Sequence, residues 1–389
     1  MFGELIYTLH IIGTLFVGIV MQLSVLLGIL PQDTLLPAQE PATTAHNQDI
    51  VSPEHALQPL NNAKDGTITS PKSVPKETLS TTPSTSTEKS NAVSTKQHTT
   101  TDIPAISSSE VDAEAHAAMV NILCITKEQS VIQPISGSGM LIDPRGIIIT
   151  NAHIAQYFLL EKYRNGSLID CRIRTGGPAH DTYDAEPIFI SSSWMTKNAH
   201  TIIEETPTGT GENDIALLLV TRSIDNLPLP VAFPFMNYST NEEETSAGTP
   251  VLVASYPAEL IDGASVLKDL WPVTATTNII EMFTFTTDTP DVFSLKGSIA
   301  SQHGSSGGGA IDLTTGKLIG IVVTTTEGTT AVDRELNAIT FQHISTAIRR
   351  DIGIPLSTFL AKDPRESLTT FNQNTAPRLL SMLLGVLNW

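Results

Sequence analysis

From residue 120 onward the chain is cut into short runs rich in β-branched residues, and this pattern constrains the fold more than any other. The runs cover residues 120–125, 136–142, 146–149, 168–173, 215–220, 251–254, 282–285 and 318–324, with Gly, Pro, Asn and Asp between them. Side chains branched at Cβ fit the pleated, half-buried surface of a sheet, so runs of this length read as strands. Strands do not alternate with helical stretches, which argues for an all-β barrel or sandwich rather than a parallel α/β sheet. Residues 113–352 are long enough for two packed barrels. An Ala-rich stretch at 112–119 reads as a helix ahead of the first strand. Phe341–Ile352 reads as a closing helix, with Ile344, Ala347 and Ile348 on one face. The tail, 353–389, is loop-like up to the apolar run at 379–387, which is too short to span a bilayer. That run either docks on the domain or lies at an interface.

Upstream of the strands the chain changes character twice. Residues 5–30 are almost continuously apolar. At about 1.5 Å per residue this run is about 39 Å long, enough for a tilted crossing of a ~30 Å hydrocarbon core. It is too long for a signal peptide and has no basic residue ahead of it, so residues 1–31 are expected to be an uncleaved membrane anchor. His10 and Gln22 interrupt it without suggesting chemistry. Residues 32–112 are dominated by Thr, Ser, Pro, Ala, Lys and Glu and contain no aromatic residue. Such a segment cannot bury enough apolar surface to offset its chain entropy, so a disordered stalk is expected. Its coil would reach about 50 Å, holding the next domain off a membrane.

Forty acidic residues against 22 basic ones give the chain of 389 residues a net charge of −18. A chain this acidic, with no basic patch, is not built to bind nucleic acid. Its two cysteines, Cys124 and Cys171, have no metal-ligand spacing, so no metal site is expected. They form either one disulfide or two buried thiols, and both readings stay open.

Three short motifs carry chemistry. Gly304-Ser305-Ser306-Gly307-Gly308 places a serine between glycines, which can turn the backbone tightly and point N–H groups inward. By itself the motif also fits an ordinary glycine-rich turn or the nucleophile elbow of an α/β-hydrolase. Thr150-Asn151-Ala152-His153 follows an apolar strand, and Asn213-Asp214-Ile215-Ala216-Leu217 places an acid just before another. A histidine can take the serine proton, and a carboxylate can hold the imidazole in the required tautomer. Asp170 is a rival for the acid, and Ser305 a rival for the nucleophile. An α/β-hydrolase esterase would need its histidine after the serine, where only His343 stands.

Taken in order, with Gly137-Ser138-Gly139-Met140-Leu141-Ile142 ahead of the histidine, these motifs resemble the chymotrypsin-like serine proteases, and among them the HtrA/DegP-type trypsin-like peptidases. The resemblance implies two antiparallel six-stranded β-barrels with the active site in the cleft between them. It implies His153 as general acid and base, Asp214 as orienting carboxylate and Ser306 as nucleophile. The backbone N–H groups of Gly304 and Ser306 would form the oxyanion hole, and Ala300 would lie at the substrate pocket; His303, three residues before Ser306, either tunes that pocket or is an exposed loop histidine. No cofactor is implied, and the partners would be protein or peptide substrates. The expected function is a membrane-anchored serine endopeptidase working through an acyl-enzyme, with its protease domain on the extracytoplasmic side. The alternative is a latent or inactive binding module on the same fold.

The chain departs from the family pattern in four places. Ser305 stands where digestive relatives carry Asp, so activation by an ion pair to a new N-terminus is not expected. Ala300 stands where trypsin carries Asp, which puts a Lys/Arg preference in doubt. Gly309 replaces a usual proline, which predicts a slight loosening. Residues 353–389 are too few for the PDZ domain that HtrA relatives usually carry.

Overall fold

The computed structural model describes residues 107–389 except 127–131, 164–167, 205–206, 208, 241–244, 286–288 and 327. It also describes the short strand Gln58–Pro59, which pairs with Phe283 and Thr284. The expected anchor lies outside the described residues, as does the stalk apart from that pair and the residues from 107 on. Among the described residues no helix is long and apolar enough to cross a membrane.

Helix α1 (Ser108–Ala118) starts earlier than its Ala-rich stretch suggests, because Ser107 and Glu110 form a reciprocal capping box there. The first barrel then closes through six antiparallel strands. They are β1 (Met119–Thr126), β2 (Ile135–Asp143), β3 (Ile147–Thr150), β4 (Ile169–Thr175), β5 (His180–Ile190) and β6 (Ala216–Ser223), in the order β1-β2-β3-β6-β5-β4. Two helices interrupt it, α2 (Ala152–Glu161) after β3 and α3 (Ser192–Asn198) after β5. A 3₁₀ turn, Ala199–Ile203, follows α3. The second barrel is built from β7 (Pro250–Ser255), β8 (Val273–Thr284), β9 (Val292–Leu295), β10 (Gly309–Asp312), β11 (Lys317–Thr325) and β12 (Leu336–Thr340). Short helix α4 (Gly263–Lys268) lies in the β7–β8 loop. The second barrel runs β8-β9-β12-β11-β10-β7 and closes through the β7–β8 pair.

Strand β3 is buried along its whole length, and β6 along all but two residues. That burial explains why they read as unbroken apolar runs rather than as alternating ones. Helix α2 escapes a reading based on periodicity for the same reason. From Ile154 to Leu160 every residue is buried, so no polar face marks a helix. Strand β5 was also invisible, since His180, Asp181, Asp184 and Pro187 break its apolar pattern.

The closing helix α5 (Phe341–Ile352) has the expected bounds. Thr340 caps its start through His343 N–H, and Gly353, at φ 80°, ends it. The tail is not the loop expected. It forms α6 (Leu356–Leu360), α7 (Pro364–Asn374) and α8 (Ala376–Leu387). Asp363 caps α7 ahead of Pro364, a start signal that composition alone conceals. Helix α8 docks on the domain. Its buried stripe of Leu379, Leu383 and Leu387 packs against α2, α3 and the 3₁₀ turn. Arg145 donates to the Lys362 carbonyl at 2.9 Å, and Arg378 to Ser192 Oγ at 2.7 Å, fastening the tail to the first barrel.

Cys124 and Cys171 face each other across the β1–β4 pair and are joined by a disulfide.

Candidate active site

His153 enters the site because β3 ends at Thr150 and Asn151 turns the chain into α2. Asn151 makes no capping bond of its own. Its amide donates instead to the Asp214 carbonyl at 2.9 Å. The cap comes from the start of the neighbouring strand: Asp214 Oδ1 accepts the backbone N–H of His153 at 2.9 Å. A carboxylate at a helix N-terminus is favoured by the dipole as well as by the bond. The other oxygen, Oδ2, lies 2.7 Å from His153 Nδ1. Asp214 is thereby held at both ends and is buried, while the imidazole is partly open to solvent. The turn that presents Asp214 depends on Asn213 at φ 61°, a left-handed conformation that asparagine tolerates.

The rival residues are engaged elsewhere. Asp170 pairs with Arg172 at 2.7 Å. His343 is buried in α5 with Nδ1 2.8 Å from Asp291 Oδ1, so the histidine that an esterase reading needs belongs to a separate pair in the second barrel.

The serine loop joins β9 to β10 and packs on the first barrel. The Ser306 carbonyl accepts from Ser138 N–H at 2.8 Å. A Cβ on Gly307 would sit 2.0 Å from the Ser138 carbonyl and 2.5 Å from Thr150 Oγ1, so only glycine allows this approach. Ser306 is thereby set beside the strand end that leads to His153. Its Oγ donates to no group among the described residues, His153 included. Resting sites often leave this bond open until substrate tightens it.

Within residues 304–308 the N–H groups fall into two sets. Ser305 N–H donates to Gln302 O at 3.2 Å, Gly307 to Val322 O at 2.9 Å and Gly308 to Ser305 O at 2.9 Å. The N–H groups of Gly304 and Ser306 donate to nothing among the described residues. Two N–H groups without an acceptor, one on each side of Ser305, are the kind of donor pair that can receive a developing oxyanion.

Several supporting residues were not read from the sequence, because their partners are remote. Ser138 Oγ donates to the Gly304 carbonyl at 2.7 Å and accepts from Tyr256 N–H at 2.8 Å, stapling the loop to both barrels. Ser255 Oγ donates to Ser305 Oγ at 3.1 Å, so a neutral buried pair occupies the place where an aspartate was absent. Arg174 is fully buried. It donates to the carbonyls of Val266 and Leu267, both at 2.9 Å, and of Ala179 at 2.6 Å, tying the β7–β8 loop to the first barrel. Burial lowers the pKa of its guanidinium, and Asp181 opposes that shift.

Ala300 is enclosed in the core of the second barrel with Phe293, Ala310 and Ile319, so it brings no charge to a pocket. His303 is exposed, and what the structure engages is its backbone. Gly309 is a tight contact rather than a loose one, because a Cβ there would lie 2.6 Å from Leu318 Cδ2. Among the described residues no group of three His, Cys, Asp or Glu is placed to hold a metal ion.

Residues 137–321 match the family of trypsin-like peptidase domains. This segment is a trypsin-like peptidase domain. With it comes the class of hydrolase, a serine endopeptidase acting on peptide or protein substrates. No curated protein sequence matches the chain. Among solved structures, the peptidase fold is similar to the Rv3671c protease from M. tuberculosis in its active form. That match has 17% identity and a TM-score of 0.38, covering 63% of this chain and 84% of that one. It is also similar to the HtrA-type protease AlgW with a tripeptide, at 16% identity and a TM-score of 0.41, covering 63% of this chain and 64% of that one.

Proposed function

We propose that the peptidase domain cleaves peptide bonds through an acyl-enzyme, with Ser306 as nucleophile, His153 as general acid and base and Asp214 as the orienting carboxylate. The observation that carries this reading is the pairing of an Asp-held imidazole with a serine loop in which the N–H groups of Gly304 and Ser306, on either side of Ser305, donate to nothing among the described residues. In this reading the Ser306 proton passes to His153 Nε2 as Oγ attacks the scissile carbonyl. Asp214 stabilises the imidazolium, and the two N–H groups receive the oxyanion. Protonated His153 then gives its proton to the leaving amine, and water, activated by the same base, releases the acid.

We place the domain on the extracytoplasmic face of a membrane, tethered by residues 5–30. The length of that apolar run supports the tether, and the Cys124–Cys171 disulfide supports an oxidising compartment.

A fluorophosphonate probe followed by mass spectrometry tests the mechanism. Labelling should fall on Ser306 and disappear in Ser306→Ala and His153→Ala, with peptidase activity lost in both. Activity retained in Ser306→Ala would refute the assignment. A folded protein that takes no label would favour the latent or binding-module alternative.

A further inference from the structure

We propose that Glu259 is a positioning residue that keeps the Gly304 N–H aimed at the reacting carbonyl by holding the Gln302–His303 peptide N–H, and with it the backbone of the residue before Gly304. This rests on the serine-peptidase reading above. Glu259 lies in the β7–β8 loop, outside all three motifs. Its Oε2 accepts the backbone N–H of His303 at 3.2 Å and the Arg334 Nη1 at 2.5 Å. Arg334 stands in the β11–β12 loop and is itself held by the Gly328 carbonyl, 3.2 Å from its Nε. One carboxylate oxygen therefore joins three loops around the nucleophile.

The preceding residue completes the lock. Ala258 N–H donates to the His303 carbonyl at 2.8 Å. Two consecutive residues thus hold both backbone polar groups of His303. In a trans peptide the carbonyl and the following N–H point in opposite directions. With the His303 carbonyl fixed toward Ala258, the Gly304 N–H must point away from that loop, where it is free to meet an oxyanion. Rotation of this peptide would turn a carbonyl oxygen toward the oxyanion position and abolish the stabilisation there.

Gly304 makes the arrangement possible. At φ 95°, a Cβ would lie 2.7 Å from the Tyr256 carbonyl and 2.8 Å from Ala258 N, so the two loops meet backbone to backbone. The Arg334 hydrogen bond, with a smaller contribution from His303, also holds the Glu259 carboxyl below the usual carboxylate range. The β7–β8 loop is in turn fixed to the first barrel by Arg174 and by Tyr256, whose hydroxyl donates to the Gly176 carbonyl at 3.0 Å.

The test uses the full chain, a chromogenic peptide substrate and thermal unfolding. Wild-type turnover with Ser306 labelling comes first, and its absence would overturn the reading on which this proposal depends. Given turnover, Glu259→Ala should lower kcat about tenfold with KM changed less than about twofold, since an oxyanion contact acts in the transition state. Tm should stay within about 2 °C, because both side chains are partly exposed, 25% for Glu259 and 19% for Arg334. Arg334→Met, which leaves the His303 contact in place, should lower kcat in the same direction but less. Wild-type kcat in Glu259→Ala would overturn the proposal. So would a rise in KM alone, which would make Glu259 a substrate-binding group. If Glu259→Ala also lowers Tm, Arg334→Met decides, and wild-type kcat in that variant would overturn the proposal.

Discussion

Asp214→Asn replaces one atom, and the site dictates which way the new amide must face. Two N–H groups aim at the present carboxylate, the backbone N–H of His153 at 2.9 Å and, in the working tautomer, Nδ1–H at 2.7 Å. The backbone N–H is an obligate donor, so the asparagine must give it the carbonyl oxygen. Its NH₂ then faces Nδ1, which must become an acceptor. The imidazole proton moves to Nε2, the nitrogen that should take the serine proton, and the base is lost. Loss of the tautomer costs a serine protease of this type about 10⁴ in kcat, or about 5 kcal/mol of transition-state stabilisation. The fold should lose far less, because the helix cap and the shape are kept. Turnover measured near pH 8 beside a thermal melt reads both effects. A kcat within tenfold of wild type in a folded protein would refute the argument that Asp214 sets the tautomer.

Two further substitutions probe the support. Ser138→Ala removes the partner of the Gly304 carbonyl and of Tyr256 N–H. At about 1–3 kcal/mol for each buried group left unpaired, the loss is about 2–6 kcal/mol, visible as a lowered Tm together with reduced kcat. An unchanged melt and rate would show that the staple is dispensable. Glu161, at the end of α2, has its carboxyl lifted from 4.5 to about 7, chiefly by burial, against the opposing Cys171 N–H bond. The folded state therefore holds that proton more tightly than the unfolded one. The cost is absent below about pH 4.5, grows as pH rises to about 7 and is constant above, about 3 kcal/mol at most. Glu161→Gln should stabilise the protein at pH 8 and leave it nearly unchanged at pH 4, as read by denaturant unfolding at both. Equal stability of the two proteins at pH 8 would refute this.

Much of the architecture was legible because it rests on local chemistry. Short β-branched runs between turn residues announced a barrel fold, since one residue type after another prefers the pleated state. The closing helix was legible from the apolar spacing of Ile344, Ala347 and Ile348. The three motifs named the residues that the structure brings to the serine loop and its neighbours, because glycine, histidine and aspartate each answer a local demand of backbone or charge.

What escaped the sequence depends on contacts far apart in the chain. Helix α2 and strand β5 were hidden because tertiary burial, not periodicity, fixes the first, and the second carries polar residues through a barrel wall. The tail became three docked helices because α2, α3 and the 3₁₀ turn offer α8 an apolar face. Of two equally open readings for Cys124 and Cys171, the β1–β4 register selected the bond. Composition and motif thus determined which groups the chain carries and in what order. Only the folded backbone decided which N–H groups stay free and which carboxylate faces the histidine, because those are properties of pairs that meet only when the two barrels are closed.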